Sequence, residues 1–411
     1  MIRKLIFAIA ALCAAFFLVM VRPWDSVPHP AGDQSPDPIP FDVVLAVEDP
    51  TGNQYEPVAE PEPELEPEPE PAPDPMDKKI AGMTLYEKVG QLFVVRMPYL
   101  PRAKRLVEEY HIGGFIFFGN NVESIGQVQQ TIADLQELSA IPLFIAVDEE
   151  GGRVSRIGRL FPQNSPSAFS IGNTGDTQAA FDAYYNIGNQ LSYLGFNMNF
   201  APVADIWTNP ANTVIGDRAF GTEPYLVADM TAAAVKGTQK AGIMSVIKHF
   251  PGHGDTIEDS HYRMAFYHHD RARFEAVEAI PFRRGIEAGT DGLMIGHISA
   301  PELCPNEDKL SIATFSGYLM EEVRNWGFDG LIITDALDMH GLTNYFSDEE
   351  IVIGAFMAGA DILLMPANPE RAINILINAY RNGDIDAGQF HNRLDESLRR
   401  ILLAKERVYC E

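Results

Sequence analysis

Beyond residue 77 the sequence alternates short apolar runs with amphipathic segments, and this repeat limits the fold more than any other feature of the chain. Most of the runs are continuously apolar, which is typical of strands covered on both faces. The segments at 176–195 and 223–242 have helical composition, and the second begins with Glu223 and Pro224 and ends with Gly242. Eight strand–helix units over about 330 residues favour an α/β fold of the (β/α)8 TIM-type barrel class, with a doubly wound open sheet as the alternative. The predicted strands span residues 89–97, 113–119, 142–148, 196–205, 243–250, 292–299, 330–337 and 361–366.

An uncharged apolar run lies at residues 5–21, directly after Arg3 and Lys4. It is short for a membrane-spanning helix and long for the core of a signal peptide. We therefore expect residues 1–22 to be a signal anchor or a cleaved signal peptide. Because basic residues stay on the cytoplasmic side, the rest of the chain is predicted to be exported. It would be membrane-anchored on the periplasmic or extracellular side or, after cleavage, secreted.

Residues 23–77 are rich in proline and acidic residues, above all in EPVAEPEPELEPEPEPAPDP at 56–75. Proline cannot donate to a strand ladder and the like charges repel each other, so we predict a disordered, extended linker. The whole chain has 57 acidic against 31 basic residues, a formal net charge of -26, which argues against a nucleic-acid partner. Residues 78–411 are predicted to form one domain, and the spacing of Cys304 and Cys410 leaves open whether they pair.

Polar side chains stand at the ends of five predicted strands, where a barrel places its active site. Asp148 ends the third strand, and Lys248 and His249 end the fifth. Asp335 follows the run LIIT of the seventh strand, so its carboxylate is expected to enter the barrel mouth as nucleophile, metal ligand or loop cap. The fourth and sixth strands end in Asp205 and His297.

The stretch KHFPGHGDTIEDSH, residues 248–261, brings three histidines together with acidic residues and glycines. An Asp that accepts from one imidazole nitrogen raises the basicity of the other, so Asp259 and His261 are a candidate proton donor and acceptor. The alternative is a solvated loop without a chemical role. A metal site is a third interpretation, but the first strand lacks the histidines that barrel metallohydrolases use there, and no metal or other cofactor is predicted. The ligands for that interpretation would be His249, His253, Asp255, Asp259 and His261.

KHFPGHG followed by DSH, with VDEEGGRVSR before it and ITDAL after it, resembles the glycoside hydrolase family 3 β-N-acetylhexosaminidases of the single-domain type. The resemblance covers about residues 78–403, with all the motifs in the family's order. It implies a retaining exo-β-N-acetylglucosaminidase that removes terminal N-acetylglucosamine (GlcNAc) from cell-wall muropeptides or chitin-type oligosaccharides, without a cofactor and as a monomer. Many family members carry a second α/β domain after the barrel, whereas this sequence ends at Glu411, directly after its last predicted helix.

The resemblance also implies roles for individual residues. Asp335 is the nucleophile that forms a covalent glycosyl–enzyme intermediate, His261 is the general acid and then the general base, and Asp259 is its polarising partner. This His–Asp pair departs from the two-carboxylate arrangement of most glycosidases. Substrate-binding roles fall to Asp148, Arg156, Arg218, Lys248 and His249, and supporting or structural roles to Glu150, Arg153, Asp205, His253, His297 and Asp338.

Several alternatives stay open at the level of the sequence. The export segment distinguishes this chain from cytoplasmic recyclers of cell-wall fragments, so the natural substrate is left open between muropeptides and chitin oligosaccharides. A histidine acid/base tolerates an incoming phosphate anion better than a carboxylate would, so phosphorolysis competes with hydrolysis. The two competing functional classes are a metal-dependent barrel hydrolase and a non-catalytic glycan-binding protein of the cell envelope.

Overall fold

The computed structural model describes residues 74–162, 164–304 and 311–409, and within them eight parallel strands form one sheet. The strands are β1 (Phe93–Arg96), β2 (Gly114–Phe117), β3 (Phe144–Val147), β4 (Met198–Asn199), β5 (Met244–Phe250), β6 (Gly292–Ile295), β7 (Leu331–Thr334) and β8 (Leu363–Leu364). Their spatial order is β8-β1-β2-β3-β4-β5-β6-β7. A parallel bridge between Ile333 and Ile362 joins β7 to the segment before β8, so the sheet forms a nearly closed barrel.

Each strand lies inside the range that the sequence predicts for it, and the (β/α)8 TIM-type barrel is confirmed. The strand residues are buried apart from Arg96 at the end of β1, as expected for strands between a packed interior and a layer of helices. Phe93, Phe115 and Phe144 are fully buried, and each such side chain contributes about 1.5–3 kcal/mol of hydrophobic stabilisation. Two further short strands, Ala265–Phe266 and Ile298–Ser299, pair with each other outside the barrel.

Helices connect the strands, and the two that the sequence predicts at 176–195 and 223–242 are confirmed. The first ends at Gly195, whose φ of 94° is the left-handed conformation that glycine adopts without a steric penalty. The helices are α1 (Pro75–Ala81), α2 (Leu85–Gly90), α3 (Leu100–Tyr110), α4 (Ile125–Leu138), α5 (Ala168–Gly172), α6 (Thr177–Leu194), α7 (Pro224–Lys240), α8 (Arg271–Ala276), α9 (Ala279–Glu287), α10 (Gly317–Asn325), α11 (His340–Thr343), α12 (Asp348–Ala358), α13 (Pro369–Asn382) and α14 (Ala387–Tyr409).

The C-terminal helix α14 is fixed to the barrel by polar contacts of two of its residues, Lys405 and Arg393. Lys405 donates to the side-chain oxygen of Gln91 at 2.7 Å and to the carbonyl of Gly113 at 2.9 Å, just before β1 and β2. Arg393 donates to the fully buried carboxylate of Asp361 at 3.0 Å, just before β8. Both contacts lie at the amino ends of the strands, so α14 holds the end of the barrel that faces away from the predicted active site.

Three expectations concern residues outside the described ranges. The predicted signal segment, residues 1–22, and residues 23–73 of the predicted linker lie outside them. The end of that linker, predicted at residue 77, is wrong by a few residues, because Asp74 caps α1, which begins at Pro75 and buries Met76. Among the helices that the structure does describe, none has the length and apolar composition needed to cross a bilayer. Cys304 is buried with its Sγ 3.4 Å from Ser316 Oγ, whereas Cys410 lies outside the described residues.

Candidate active site

A pocket of about 580 Å³ opens at the carboxyl ends of the strands, where a barrel of this class places its active site. Its wall includes each of the eight residues to which the sequence assigns a catalytic or substrate-binding role. Lys248 and His249 lie in the last part of β5, and the others come from the segments that follow β3, β4, β5 and β7, so distant parts of the chain meet at one mouth. The eight residues are Asp148, Arg156, Arg218, Lys248, His249, Asp259, His261 and Asp335.

A buried cluster of four charged side chains forms one side of the pocket. The Nζ atom of Lys248 lies 2.7 Å from Oδ1 of Asp148 and 2.7 Å from Oε1 of Glu150. Arg218 binds Glu150 through two hydrogen bonds, from Nε at 2.8 Å and from Nη2 at 2.9 Å. Two cations and two carboxylates balance each other, which is the condition under which buried charges are tolerated. The cluster therefore presents oriented donors and acceptors that suit sugar hydroxyls.

Electrostatics keep the cluster ionised. Burial alone would raise the pKa of Glu150, but Arg218 and Lys248 outweigh it and hold that pKa far below its ordinary value. For Lys248, burial lowers the pKa, while the carboxylates of Asp148 and Glu150 reverse the effect and raise it. Glu150, which the sequence suggests is a supporting residue, thus stabilises both cations that face the pocket.

His249 is oriented by a carboxylate beneath the pocket. Oδ2 of Asp205 accepts from Nδ1 of His249 at 2.7 Å and Oδ1 accepts from the backbone N–H of His253 at 2.6 Å. Burial raises the pKa of Asp205, but the His249 imidazole outweighs it and lowers that pKa. Because Nδ1 donates to Asp205, Nε2 is the nitrogen that faces the pocket, 3.4 Å from Nη2 of Arg218.

Asp335 directly follows β7 and lies in the pocket as an ionised carboxylate. Its Oδ1 atom accepts from the backbone N–H of Ala336 at 2.7 Å, and its own N–H donates to the carbonyl of Ile295 at 2.8 Å. Burial raises the pKa of Asp335, but the imidazoles of His297 and His249 together with the Ala336 amide lower it to about 2. A carboxylate that stays ionised and faces a cavity can act as a nucleophile.

His297 supports this segment from below instead of lining the pocket. Its Nε2 atom donates to the carbonyl of Ala336 at 2.8 Å and its Nδ1 atom lies 2.7 Å from Oγ1 of Thr314. Burial lowers the pKa of His297, although the neighbouring Asp335 opposes this shift. A neutral imidazole that donates through Nε2 therefore fixes the backbone next to Asp335.

Asp259 and His261 form a hydrogen-bonded pair in the loop between β5 and the strand Ala265–Phe266. Oδ1 of Asp259 accepts from Nδ1 of His261 at 2.7 Å and from its backbone N–H at 2.9 Å. Gly252 has a φ of 133°, and a Cβ on Gly254 would lie 1.9 Å from the carbonyl oxygen of Ile206, so this turn requires glycines. With Nδ1 engaged, Nε2 of His261 is the nitrogen available for proton exchange on the exposed side of the pocket.

The pocket also contains residues that sequence reasoning missed. Arg96 places its guanidinium carbon 4.5 Å from the ring centroid of Phe118 and its Nη2 atom 3.2 Å from Oδ2 of Asp338. Arg96 ends the apolar strand β1, which is the same strand-end signal that identified Asp148 and Asp335. Phe118 gives no such signal because it continues an apolar run. The other missed wall residues include Val214, Met339 and Met365.

The candidate metal ligands do not converge. Asp255 binds Oγ1 of Thr208 at 2.7 Å and contacts Nε2 of His269, whereas His253 lies 2.9 Å from Oγ of Ser260. Across the residues that the structure describes, no group of three or more His, Cys, Asp or Glu side chains is arranged to hold a metal ion.

A (β/α)8 barrel whose mouth holds an ionised carboxylate, a His–Asp pair and a balanced charge cluster has the fold and the polar site of a barrel hydrolase. The family model of the glycosyl hydrolase family 3 N terminal domain matches residues 84–404, so the chain belongs to glycosyl hydrolase family 3. The family predicted from the motifs is thereby confirmed.

Two curated relatives share this domain. The protein named beta-hexosaminidase A from Pseudoalteromonas piscicida is 39% identical over 285 residues, covering 65% of this chain and 48% of that protein. The chain thus spans about half the length of this relative. Beta-hexosaminidase LpqI from Mycobacterium tuberculosis is 33% identical over 331 residues, covering 78% of this chain and 82% of that protein.

Solved structures agree with this assignment. A glycoside hydrolase family 3 β-N-acetylglucosaminidase from Paenibacillus sp. str. FPU-7 superposes with a TM-score of 0.75 at 37% identity, covering 80% of this chain and 63% of that chain. LpqI of M. tuberculosis superposes with a TM-score of 0.72 at 29% identity, covering 80% and 96% of the two chains.

Proposed function

We propose that this chain is a retaining exo-β-N-acetylglucosaminidase that hydrolyses terminal GlcNAc from cell-wall muropeptides or chitin-type oligosaccharides. The observation that carries the proposal is that Asp335 and the His261–Asp259 pair line one pocket. The volume of about 580 Å³ lies within the range of small-molecule pockets and suits a single terminal sugar. The names of the relatives, which are beta-hexosaminidases and a β-N-acetylglucosaminidase, support GlcNAc as that sugar.

In the proposed first step, the Asp335 carboxylate attacks the anomeric carbon while the bond from that carbon to the leaving oxygen breaks. Protonated His261 donates its Nε2 proton to the departing oxygen, and Asp259 stabilises the imidazolium. The products of this step are the free leaving group and a glycosyl ester on Asp335.

In the second step, the now neutral His261 removes a proton from water, and the water oxygen attacks the anomeric carbon. The ester bond breaks, Asp335 returns as a carboxylate, and the sugar leaves with its original β configuration. Two successive inversions at one carbon give net retention, which is the stereochemical signature of the proposal.

The buried cluster would hold the sugar during both steps. Asp148, Lys248, Arg218 and His249 offer charged or aromatic donors and acceptors around one side of the pocket. Charge-assisted hydrogen bonds of this kind are stronger than neutral ones and tolerate little displacement. Arg156 also lines the pocket, and its Nε atom is buried without a hydrogen-bond partner, so we propose that its guanidinium contacts the same sugar.

Turnover of 4-methylumbelliferyl β-N-acetylglucosaminide by the whole chain tests the proposal. We expect Asp335→Ala to lower kcat by at least about 10³-fold, equivalent to roughly 4 kcal/mol of barrier. Asp329→Ala is a matched control, because Asp329 precedes the same strand β7 at the opposite end of the barrel. Proton NMR should show the β-anomer as the first product. Intact glycan binding without turnover would contradict the proposal and favour the non-catalytic alternative.

Two further measurements distinguish the proposed hydrolase from a metal-dependent hydrolase and from an enzyme that uses phosphate in place of water. Activity that disappears with a chelator and returns with zinc would favour the metal-dependent hydrolase. A rate that rises with inorganic phosphate and yields a sugar 1-phosphate would favour phosphorolysis. We expect neither result, so the rate should be unchanged by both additions.

We also propose that the chain is exported and held at the membrane by residues 1–22, with the barrel on the periplasmic or extracellular side. The support is the uncharged run at 5–21 after two basic residues, followed by the acidic linker. Fractionation of cells expressing the whole chain should place it with membranes, and deletion of residues 1–22 should leave it in the cytoplasm. A whole chain that stays in the cytoplasm would contradict the proposal.

A further inference from the structure

The loop with the His–Asp pair, residues 251–264, is called the dyad loop below, and a buried histidine holds it from inside. His253 is 1% exposed, and its backbone N–H donates to Oδ1 of Asp205 at 2.6 Å. Its Nε2 atom lies 2.9 Å from Oγ of Ser260, and its Nδ1 atom lies 2.6 Å from Oγ1 of Thr256. Ser260 stands between Asp259 and His261, so the imidazole contacts the residue that connects the two members of the pair.

The surroundings of His253 keep its imidazole neutral. Burial and, to a smaller extent, the nearby His249, whose ring centroid is 5.9 Å away, lower the pKa of His253 to about 4. The carboxylates of Asp205 and Asp335 act in the opposite direction without reversing the shift. A neutral imidazole has one donor and one acceptor nitrogen, which matches two hydroxyl partners that can each donate or accept.

A second element holds the dyad loop from the other side. The short helix α11 lies just after Asp335, and its Gly341 N–H donates to the carbonyl of Ser260 at 3.1 Å. The N–H of His340 donates to the carbonyl of His261 at 3.2 Å. A Cβ on Gly341 would lie 2.5 Å from the Ser260 carbonyl oxygen, so only glycine allows this approach.

Two polar groups of Ser260 are therefore held, the hydroxyl by His253 and the carbonyl by Gly341. His253 is in turn bound to Asp205 below the pocket, through its backbone N–H. Gly341 belongs to the segment that follows Asp335 in the chain. Together they fix the position of the neighbouring His261 relative to Asp335. General acid catalysis needs the proton donor within hydrogen-bond reach of the leaving oxygen, and a displacement of about 1 Å can cost about 10²-fold in rate.

We infer that His253 is a positioning residue for proton transfer: through Ser260 it holds the dyad loop against α11, so that His261 is in place to protonate the leaving group attacked by Asp335. This inference rests on the proposed function. No covalent role falls to His253, because its two ring nitrogens are engaged by Thr256 and Ser260.

The test compares the whole chain with its His253→Gln, Ser260→Ala and doubly substituted variants on two aryl β-N-acetylglucosaminides. The first substrate releases 4-methoxyphenol, a poor leaving group that needs protonation. We expect its kcat/KM to fall about 10- to 10²-fold in each single variant. The second substrate releases 2,4-dinitrophenol, which leaves without protonation, and its kcat/KM should change by less than about 3-fold. The double variant should be no worse than either single one, because both remove the same contact.

His391→Gln is the matched control. His391 also contacts a hydroxyl, with Nε2 3.2 Å from the phenol oxygen of Tyr380, but on α14 at the outside of the barrel. It should leave both kcat/KM values unchanged. Gly341→Ala disrupts the contact between α11 and the Ser260 carbonyl without changing His253. It should lower kcat/KM for the 4-methoxyphenyl substrate but not for the 2,4-dinitrophenyl substrate. Equal losses on both substrates would overturn the inference, because they would indicate only a structural role.

Hydrogen exchange gives a readout that needs no turnover. The amides of His340 and Gly341 should exchange faster in His253→Gln and Ser260→Ala than in the unsubstituted chain, and His391→Gln should not change them. If the unsubstituted chain has no activity, the proposed function is wrong. Hydrogen exchange at His340 and Gly341 still shows in that case whether His253 holds the dyad loop against α11. Unchanged exchange, or faster exchange with an unchanged ratio between the two substrates, overturns the inference.

Discussion

Nδ1 of His261 and Oδ1 of Asp259 lie 2.7 Å apart, and the backbone N–H of His261 donates to the same oxygen at 2.9 Å. One carboxylate oxygen therefore fixes both the ring and the backbone of the histidine. The side chain of His261 is otherwise 60% exposed, so Asp259 is what restricts its rotation. The direction of Nε2 thus depends on a residue only two positions away.

Replacement of Asp259 should accordingly disable proton transfer while leaving the fold intact. We expect Asp259→Ala to lower kcat/KM for 4-methylumbelliferyl β-N-acetylglucosaminide by about 10²-fold or more, the usual contribution of a positioned acid or base. Asp348→Ala is a suitable control, because the side chains of Asp348 and Asp259 are both 36% exposed and each contacts one nitrogen-bearing side chain, Arg371 or His261. Equal activity of the two variants would contradict a role for Asp259.

The buried charge cluster should matter for stability far more than an exposed ion pair at the same mouth. Glu150→Gln leaves Lys248 and Arg218 buried with too little negative charge, so we expect the free energy of unfolding to fall by about 3–5 kcal/mol. Asp217→Asn breaks an ion pair with Arg153 whose side chains are about half exposed, and it should cost less than about 1 kcal/mol. Urea unfolding of the two variants measures the difference, and an equally small loss in Glu150→Gln would contradict the expectation by showing that Lys248 and Arg218 tolerate the missing negative charge.

Lys405 should make stability depend on pH above neutrality. Burial, and to a lesser extent the charge of Lys79, lower the pKa of Lys405 well below its ordinary value. The unfolded chain then binds one more proton than the folded chain up to the unfolded pKa of about 10.4, so this residue makes stability rise with pH in that range. We expect the unfolding free energy of the unsubstituted chain relative to Lys405→Met to increase between pH 7 and pH 10. A constant difference in urea unfolding would mean that Lys405 stays protonated when buried.

His253 should produce a similar dependence on the acid side. The pKa of His253 is about 4 in the folded chain and about 6.5 in the unfolded chain. Its contribution is therefore complete above about pH 6.5 and is lost as the pH falls towards 4, by up to roughly 3 kcal/mol. His253→Gln should show a smaller fall in melting temperature than the unsubstituted chain between these pH values. Parallel melting curves across the range would argue that His253 is protonated when folded.

The sequence predicted those features that depend on the repeat or on neighbouring residues. Asp148, Lys248 and Asp335 could be identified because the end of a parallel strand always meets the barrel mouth. The pair of Asp259 and His261 could be identified because its partners lie two residues apart. The repeat likewise placed each strand, since continuous apolar runs mark strands covered on both faces.

Contacts between residues that are far apart in the sequence could not be predicted from it. Glu150 receives two hydrogen bonds from Arg218, which lies 68 positions further along the chain, and nothing in the local pattern marks either as the other's partner. The sequence suggested only a supporting or structural role for His253, and it did not predict the contact with Ser260, because that contact depends on how the dyad loop folds back. Phe118 lies within an apolar run whose other members enter the core.

The close approach of Gly341 to the Ser260 carbonyl limits which chain segments can be exchanged between this protein and other members of its family. Two separate stretches of chain, 251–264 and 335–344, form one mechanical unit although about seventy residues divide them. A graft that places any residue other than glycine at position 341 would bring a Cβ to 2.5 Å from the Ser260 carbonyl oxygen. Recombination that brings a residue other than glycine to position 341 should therefore disturb the dyad loop unless the stretch 251–264 is transferred with it.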